Sequence, residues 1–281
     1  MVVAVTNQKG GCGKTTTAVN LAAGLALHNP SERVLIVDLD LQGSVANCLS
    51  LALPSTLLPI AMALKQKRLS EIIQQTGISG LEVAPGDPSL DVPALQNEPK
   101  RDFIVQRALA SVRDYYAWII LDTPPNLEIV TCNALVAADF LVIPCDVDRE
   151  SLAGLKHTIE TAGIYLEDRP EIDPAAFCRI LITMHDNRDQ VVNAWFDQLI
   201  EPLGPQLFQS RIKRATAMKK ARANGLSIFQ YAEQNPHARP TAREFATLVH
   251  EVQSHARAYF HHHADANTTT AEPCRKDATT P

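Results

Sequence analysis

Short apolar runs alternate along the chain with longer segments of helical pattern. The short runs are rich in Val, Ile and Leu, and they predict strands at Val2–Thr6, Arg33–Asp38, Leu81–Ala84, Trp118–Asp122, Phe140–Pro144 and Cys178–Thr183. The longer segments predict helices at Lys14–Leu27, Asp102–Tyr115, Glu128–Ala137, Glu150–Glu167, Val191–Pro202 and Thr241–Tyr259. Strands that are apolar on both faces, with helices between them, indicate an α/β fold: a doubly wound, mostly parallel sheet with helices on both faces.

A glycine-rich turn lies between the first predicted strand and the first predicted helix. Residues 8–16 read Gln-Lys-Gly-Gly-Cys-Gly-Lys-Thr-Thr. In such a turn the backbone N–H groups converge on a phosphate, and the helix dipole favours the bound anion. The common pattern is G-x-x-x-x-G-K-[ST], but Gln8 replaces its first glycine and a second lysine, Lys9, precedes Lys14. We expect a nucleotide to bind at Lys9, Gly10, Gly11, Cys12, Gly13, Lys14, Thr15 and Thr16.

Two of the predicted strands end in aspartates. Asp38 and Asp40 follow an apolar run, and their spacing of two directs both side chains to one side if the strand continues. Asp122 ends another apolar run, as expected for a carboxylate that lies near Mg²⁺. Ligands of doubly wound sheets bind at the carboxyl ends of the strands. The sequence therefore predicts a nucleoside triphosphate with Mg²⁺ at this edge, with Lys14 on the β- and γ-phosphates and the Thr15 hydroxyl on the metal.

The run Lys-Gly-Gly-x-Gly-Lys-Thr resembles the deviant Walker A motif of the ParA/MinD group of P-loop ATPases. Residues 38–43, Asp-Leu-Asp-Leu-Gln-Gly, and residues 122–125, Asp-Thr-Pro-Pro, resemble two further segments of that group, which usually has proline where Leu41 stands. The resemblance implies ATP and Mg²⁺ as cofactors, and a homodimer in which Lys9 crosses to the neighbour's nucleotide. It implies Lys9 and Asp40 as catalytic residues, and Thr15, Asp38 and Asp122 as metal-binding residues.

A basic segment occurs in an otherwise acidic chain. The formal net charge is −5 at pH 7, yet no acidic residue lies between Glu201 and Glu233. Many relatives in the ParA/MinD group have proline and glutamate where Lys213 and Lys220 stand. A solvated helix face usually mixes both signs of charge, whereas a block of one sign is typical of a polyanion-binding surface. We therefore predict DNA binding through Arg211, Lys213, Arg214, Lys219, Lys220 and Arg222.

The motifs favour a ParA-type ATPase. Such a protein would dimerise with ATP, bind non-specific DNA, and segregate or position a plasmid, chromosome or protein compartment, while a ParB-like partner stimulates its slow hydrolysis. A MinD-like membrane-cycling regulator shares the ATP motifs but needs a C-terminal amphipathic helix. The last predicted helix carries few large apolar residues, so no membrane is expected. A small-molecule ATP-dependent synthetase of the same superfamily is a further alternative, against which the basic segment argues.

Length and composition fit a single domain. Of 281 residues, 46% are hydrophobic and 20% are charged. We expect one P-loop ATPase domain over residues 1–260, followed by a polar, disordered tail over residues 261–281. The six cysteines form no Cys-x-x-Cys pair, which suits free thiols in a reducing cytosol. We expect a cytoplasmic, nucleoid-associated protein without an N-terminal helix-turn-helix domain.

Overall fold

A computed structural model describes residues 1–90, 95–126, 128–167, 169 and 172–269, and an eight-stranded sheet lies at its centre. The strands are β1 (Val2–Val5), β2 (Val34–Asp38), β3 (Gln74–Gln75), β4 (Leu81–Ala84), β5 (Trp118–Asp122), β6 (Phe140–Asp146), β7 (Cys178–His185) and β8 (Leu207–Lys213). Their order across the sheet is β3-β4-β2-β5-β1-β6-β7-β8. Neighbouring strands are parallel except β3 and β4, which confirms the predicted sheet.

Helices connect the strands and cover both faces of the sheet. Within the described residues they are α1 (Lys14–His28), α2 (Ser44–Cys48), α3 (Ile60–Lys65), α4 (Ile104–Leu109), α5 (Ile129–Ala137), α6 (Arg149–Leu166), α7 (Pro174–Phe177), α8 (Gln190–Ile200), α9 (Thr216–Ala223), α10 (Ile228–Gln234) and α11 (Arg239–Thr269). The chain runs from β1 outward to β4, returns to β5, and continues on the other side through β6, β7 and β8. The carboxyl ends of β1, β2 and β5 therefore lie side by side, where a ligand crevice is expected.

Alternate residues of the central strands face two separate cores. Val2 and Ala4 of β1 pack in one core with α3, α4, α5 and α6. Val3 and Val5 pack in the other with α1, α9, α10 and α11. This alternation explains why the central strands are apolar at consecutive positions, as a sheet covered on both faces requires.

Two strands and several short helices were not predicted. β3 has only two residues, and β8 alternates buried and exposed positions at the edge of the sheet. The predicted helix over residues 102–115 is shorter in the structure, because only α4 is α-helical and 3₁₀ turns flank it at Arg101–Phe103 and Arg113–Tyr115. Short or amphiphilic elements of this kind give a weak periodic signal.

The last helix, α11, extends beyond its predicted end at Tyr259. It continues to Thr269, so the expected domain boundary after residue 260 falls inside a helix. Residues 270–281 lie outside the described residues, and the disordered tail stays a prediction. Across the part of the chain that the structure describes, no helix combines the length and apolar character needed to cross a membrane.

Candidate functional site

The glycine-rich turn wraps around the N-terminus of α1. Gly11 and Gly13 adopt positive φ angles of 79° and 95°, a conformation that strains any residue with a Cβ. Thr183 of β7 donates a hydrogen bond from Oγ1 to the carbonyl of Cys12 at 2.8 Å, which ties the turn to the sheet. No side chain caps α1. Its first N–H groups are therefore directed into the turn without a side-chain acceptor, as an anion site requires.

Lys14 and Cys12 both point into the turn. Lys14 is 7% exposed, and its Nζ donates to the carbonyl of Lys9 at 2.8 Å. Burial lowers the pKa of Lys14, while the charges of Asp122 and Asp40 act in the opposite direction. The Cys12 side chain is fully buried and its Sγ donates to the Lys9 carbonyl at 3.3 Å. Cys12 can therefore meet a phosphate only through its backbone.

Asp38 and Asp122 are direct neighbours on adjacent strands, β2 and β5, and both are fully buried. Asp38 accepts hydrogen bonds from the backbone N–H groups of Val45 at 2.9 Å and Asp40 at 3.1 Å. No hydrogen bond of good geometry reaches either carboxylate oxygen of Asp122 within the described residues, although the nearby Thr15 hydroxyl acts to lower its pKa. Burial raises the pKa of both carboxyl groups, and the charge of Asp38 adds to the effect on Asp122. The charge of Lys14 acts against this rise at Asp122.

These carboxylates fit a bound Mg²⁺. A buried carboxylate without a partner is costly unless a proton or a cation neutralises it. In the described ranges, no three His, Cys, Asp or Glu side chains are grouped so that they could hold a metal alone. Mg²⁺ usually keeps several waters and takes one or two carboxylates together with phosphate oxygens. The hydroxyl of Thr15 and the carboxylate of Asp122 are a partial set of this kind, which a nucleotide would complete.

A pocket of about 250 Å³, here called the phosphate pocket, lies over the turn. Its wall brings together most of the predicted nucleotide-binding residues and the predicted catalytic Asp40. Its lining residues are Gly10, Gly11, Gly13, Lys14, Thr15, Thr16, Asp40, Ser44, Pro125, Met184 and Arg222. The structure thus brings these predicted residues together at one pocket, and it adds Met184 and Arg222 to the wall.

Lys9 is turned away from this pocket and contacts its own subunit. Its Nζ forms an ion pair with Oδ2 of Asp148, which precedes α6, and lies 3.9 Å from Oε2 of Glu150. Oδ1 of Asp148 accepts from the Ser151 N–H at 2.8 Å and so caps α6. Gly154 of α6 packs under the turn, where a Cβ would lie 3.3 Å from the backbone nitrogen of Lys9. The beginning of α6 therefore holds the first part of the glycine-rich turn.

A second pocket of about 220 Å³, here called the base-side pocket, adjoins the phosphate pocket. The two share Gly13, Thr16, Met184 and Arg222. The second pocket is lined by Gly13, Thr16, Thr17, Thr183, Met184, Ile212, Lys213, Arg214, Ala215, Met218, Lys219, Arg222 and Phe245. Its apolar members suit the flat face of a nucleotide base. No local pattern brings these residues together, since they come from β7, β8, α9 and α11, which meet only in the fold.

The members of the basic segment differ in their contacts. Three of its members have acidic partners: Arg211 pairs with Asp197 at 2.8 Å, Lys213 with Glu244 at 3.0 Å, and Arg214 with Asp146 at 3.9 Å. The remaining cations lie on α9. Lys219 and Arg222 lie one turn apart and line the base-side pocket. Lys220 lines a separate cleft with Tyr231 and His237. Three of the six predicted DNA-binding residues are therefore engaged in ion pairs, and DNA binding through the six stays a prediction.

The strand–turn–helix cradle, its buried lysine and the aspartates at the neighbouring strand ends define a P-loop nucleotide-binding protein. A family model described as an AAA domain matches residues 1–171. The chain is 32% identical to the chromosome partitioning protein ParA of Myxococcus xanthus over 234 residues, which cover 82% of this chain and 81% of that protein. The chain therefore belongs to the ParA family of P-loop ATPases.

Two solved structures share the fold. The ATP complex of a McdA variant from Cyanothece superposes with a TM-score of 0.72 at 18% identity, covering 90% of this chain and 96% of that one. Cobyrinic acid a,c-diamide synthase from Mycobacterium smegmatis, with bound ADP and magnesium, superposes with a TM-score of 0.67 at 24% identity, covering 84% and 96%. At identities this low, the likeness shows a shared fold and nothing more, because one fold can serve proteins with different functions.

Proposed function

We propose that the chain hydrolyses ATP with Mg²⁺ in order to position a cargo in the cell. The observation that carries the proposal is the placement of Lys14 and Asp40 on the wall of one phosphate pocket, with Asp38 and Asp122 buried at the neighbouring strand ends. Lys14 would neutralise the β- and γ-phosphates, and Thr15 would bind Mg²⁺ with Asp38 and Asp122 behind it. Asp40 lies on the pocket wall, where it would orient the attacking water. The bound metal would supply positive charge against the two buried carboxylates and the phosphates.

ATP would also join two copies of the chain. Lys9 lies 21% exposed at the surface of the turn rather than in its own phosphate pocket, so it is placed to leave its subunit. In a dimer it would reach the partner's nucleotide and supply charge there, as an arginine finger does. Dimer stability would then depend on the nucleotide bound, which makes the assembly a switch. The similarity to ParA proteins supports this part of the proposal.

The dimer would bind non-specific DNA through phosphate contacts, and so associate with the nucleoid. Lys219 and Lys220 are exposed, and neither has an ion pair within the described residues. With these two cations from each subunit, a dimer would neutralise about four phosphates, and the slope of log affinity against log salt would be roughly −4. The name of the Myxococcus relative, a chromosome partitioning protein, supports a DNA cargo. A ParB-like adaptor would link the ATPase to that cargo and stimulate hydrolysis.

Two variants test the catalytic proposal. Lys14→Ala should lose nucleotide binding, since the ammonium group is central to the cradle. Asp40→Ala should keep nucleotide binding and lose hydrolysis. Calorimetric titration with nucleotide and a phosphate-release assay measure the two properties separately. Full hydrolysis by the Asp40→Ala variant would show that another group orients the water.

Charge reversal tests the DNA proposal. Lys220→Glu should weaken binding to random-sequence duplex with ATP by about tenfold or more, because it replaces an attraction by a repulsion in each subunit. It should leave ATP-dependent dimerisation intact, since Lys220 does not line the nucleotide pockets. Lys156→Glu on α6, which packs on the opposite face of the sheet, is the matched control. A DNA affinity that changes neither with the nucleotide nor with Lys220→Glu would refute the proposed DNA-binding surface and favour a synthetase.

A further inference from the structure

Arg222 lies in the last turn of α9, on the wall of three adjoining pockets. It lines the phosphate pocket with Lys14 and Asp40, and the base-side pocket with Met184. It also lines a small pocket beside α1 and α2. Thr16, in the first turn of α1, belongs to all three. Arg222 is therefore beside the helix N-terminus, at the junction between the phosphate cradle and the base-side pocket.

The backbone around Arg222 is closely packed. Ala221 is 1% exposed, and its carbonyl accepts from the Leu226 N–H at 3.1 Å. Gly225 has a φ of 64°, and a Cβ on it would lie 1.7 Å from Oγ of Ser50. Only glycine permits this approach of the end of α9 to the segment after α2. The Arg222 side chain therefore starts from a fixed point next to the nucleotide-binding turn.

The guanidinium of Arg222 is exposed and has no acidic partner in an ion pair among the described residues, whereas Arg211, Lys213 and Arg214 each have one. The charge of Arg222 also acts on a buried side chain, that of Cys48. Burial raises the pKa of Cys48, and Arg222 is the charge that acts most strongly against that rise. A guanidinium offers five N–H donors in a planar fork that matches phosphate oxygens.

We propose that Arg222 binds the phosphate nearest the base in a nucleotide held by the glycine-rich turn. This inference rests on the proposed ATP site. Since Arg222 lines both the phosphate pocket and the base-side pocket, it meets the ligand where the phosphate chain joins the sugar and base. ADP and ATP share that phosphate, so the contact stabilises both nucleotides equally. Arg222 thus leaves the set of predicted DNA contacts and becomes a nucleotide-binding residue.

Calorimetric titration of the full chain with ADP and with a non-hydrolysable ATP analogue, both with Mg²⁺, tests the assignment. Arg222→Gln should raise both dissociation constants by the same factor, about 10- to 100-fold, as expected for a lost charge-assisted contact. Arg222→Lys keeps the charge but not the fork of donors, so its dissociation constants should lie between those of the unmodified chain and those of Arg222→Gln. Arg243→Gln removes an exposed arginine of α11 that lines neither nucleotide pocket, and should change affinity less than about twofold.

The outcomes are distinguishable. Unchanged affinity in a folded Arg222→Gln variant, checked by thermal unfolding without nucleotide, overturns the inference. A loss confined to the ATP analogue also overturns it, because the shared phosphate would not be the one contacted. If Arg222→Gln does not fold, the nucleotide affinity of Arg222→Lys, compared with that of the unmodified chain, becomes the test of the inference. An unmodified chain that binds no nucleotide refutes the proposed function together with the inference.

Discussion

Asp148→Asn should strengthen the proposed ATP-dependent dimer, because Asp148 holds Lys9 within its own subunit. Lys9 must leave that ion pair before it can reach a partner's nucleotide. The substitution changes little else. Oδ1 of Asp148 caps α6 by accepting from the Ser151 N–H, and asparagine is as good a cap as aspartate. The new amide group replaces the oxygen that faces Lys9, and an amide nitrogen cannot accept a hydrogen bond from an ammonium.

The size of the effect follows from the exposure of the pair. The side chains of Lys9 and Asp148 are 21% and 37% exposed, so solvent screens their attraction and ~1 kcal/mol is a reasonable value. A dimer must break two such pairs, a cost of ~2 kcal/mol. The dimer dissociation constant should therefore fall about 30-fold in the Asp148→Asn variant.

The effect should be nearly independent of pH between 6 and 9. Burial acts to raise the pKa of Asp148, but the hydrogen bond and charge of Lys9 and the helix N–H groups outweigh it and lower the pKa. Its contribution is therefore complete above the ordinary pKa of about 3.9 and is lost only as the pH falls further. Burial acts to lower the pKa of Lys9, but Asp148 raises it overall. That contribution is lost only as the pH rises above about 10.4.

Analytical ultracentrifugation with ATP measures the dimer constant, on an Asp40→Ala background that prevents turnover. Glu150→Gln is the control. Its carboxylate lies 3.9 Å from Lys9 and is 86% exposed, so the change should be less than about twofold. In a Lys9→Ala chain, Asp148→Asn should have no effect. A dimer constant that is unchanged or larger in Asp148→Asn would refute the reasoning.

Two further predictions concern the turn and the aspartates behind it. Gly154→Ala should weaken nucleotide binding about tenfold, because its Cβ would lie 2.6 Å from Oδ1 of Asn7 and displace the turn. Gly163→Ala on the same helix is the control, because a Cβ there would meet nothing within 4 Å. It should leave nucleotide binding intact and stabilise the fold by about 0.5–1 kcal/mol in urea unfolding. Asp122→Asn should raise the unfolding free energy of the nucleotide-free chain by about 1–2 kcal/mol, since it removes a carboxylate whose charged form is disfavoured by burial and by Asp38. It should also abolish the extra thermal stabilisation that Mg²⁺ adds to that of the nucleotide. Equal affinities in the two glycine variants, or a less stable Asp122→Asn chain, would contradict them.

The sequence predicted the centre of the site because its residues follow one another at strand ends. The turn over residues 8–16 and the aspartates Asp38, Asp40 and Asp122 all lie at carboxyl ends of parallel strands, and strand geometry alone brings such positions together. The central strands were equally predictable, since burial on both faces makes them continuously apolar.

Contacts between distant segments were not predictable in this way. Asp148 pairs with Lys9 across 139 positions of the chain, and nothing in the local pattern of either residue indicates the other. The ion pairs of the basic segment were not predictable for a similar reason. Its charges look alike in sequence, yet Asp197, Glu244 and Asp146 pair with three of them from other elements. Charge counts in one segment do not reveal what the fold places opposite it.

The geometry of helix α9 limits which sequence changes this protein can accumulate during evolution. Lys219 and Arg222 share the side that faces the nucleotide pockets, whereas Lys220 faces another cleft. Each residue added to or removed from the helix would turn everything beyond it by about 100°. Gly225 fixes the far end against Ser50, so such a turn could not be absorbed there. Within this segment, descendants of the sequence can exchange side chains that contact neither a ligand nor Ser50, but insertions and deletions should be absent.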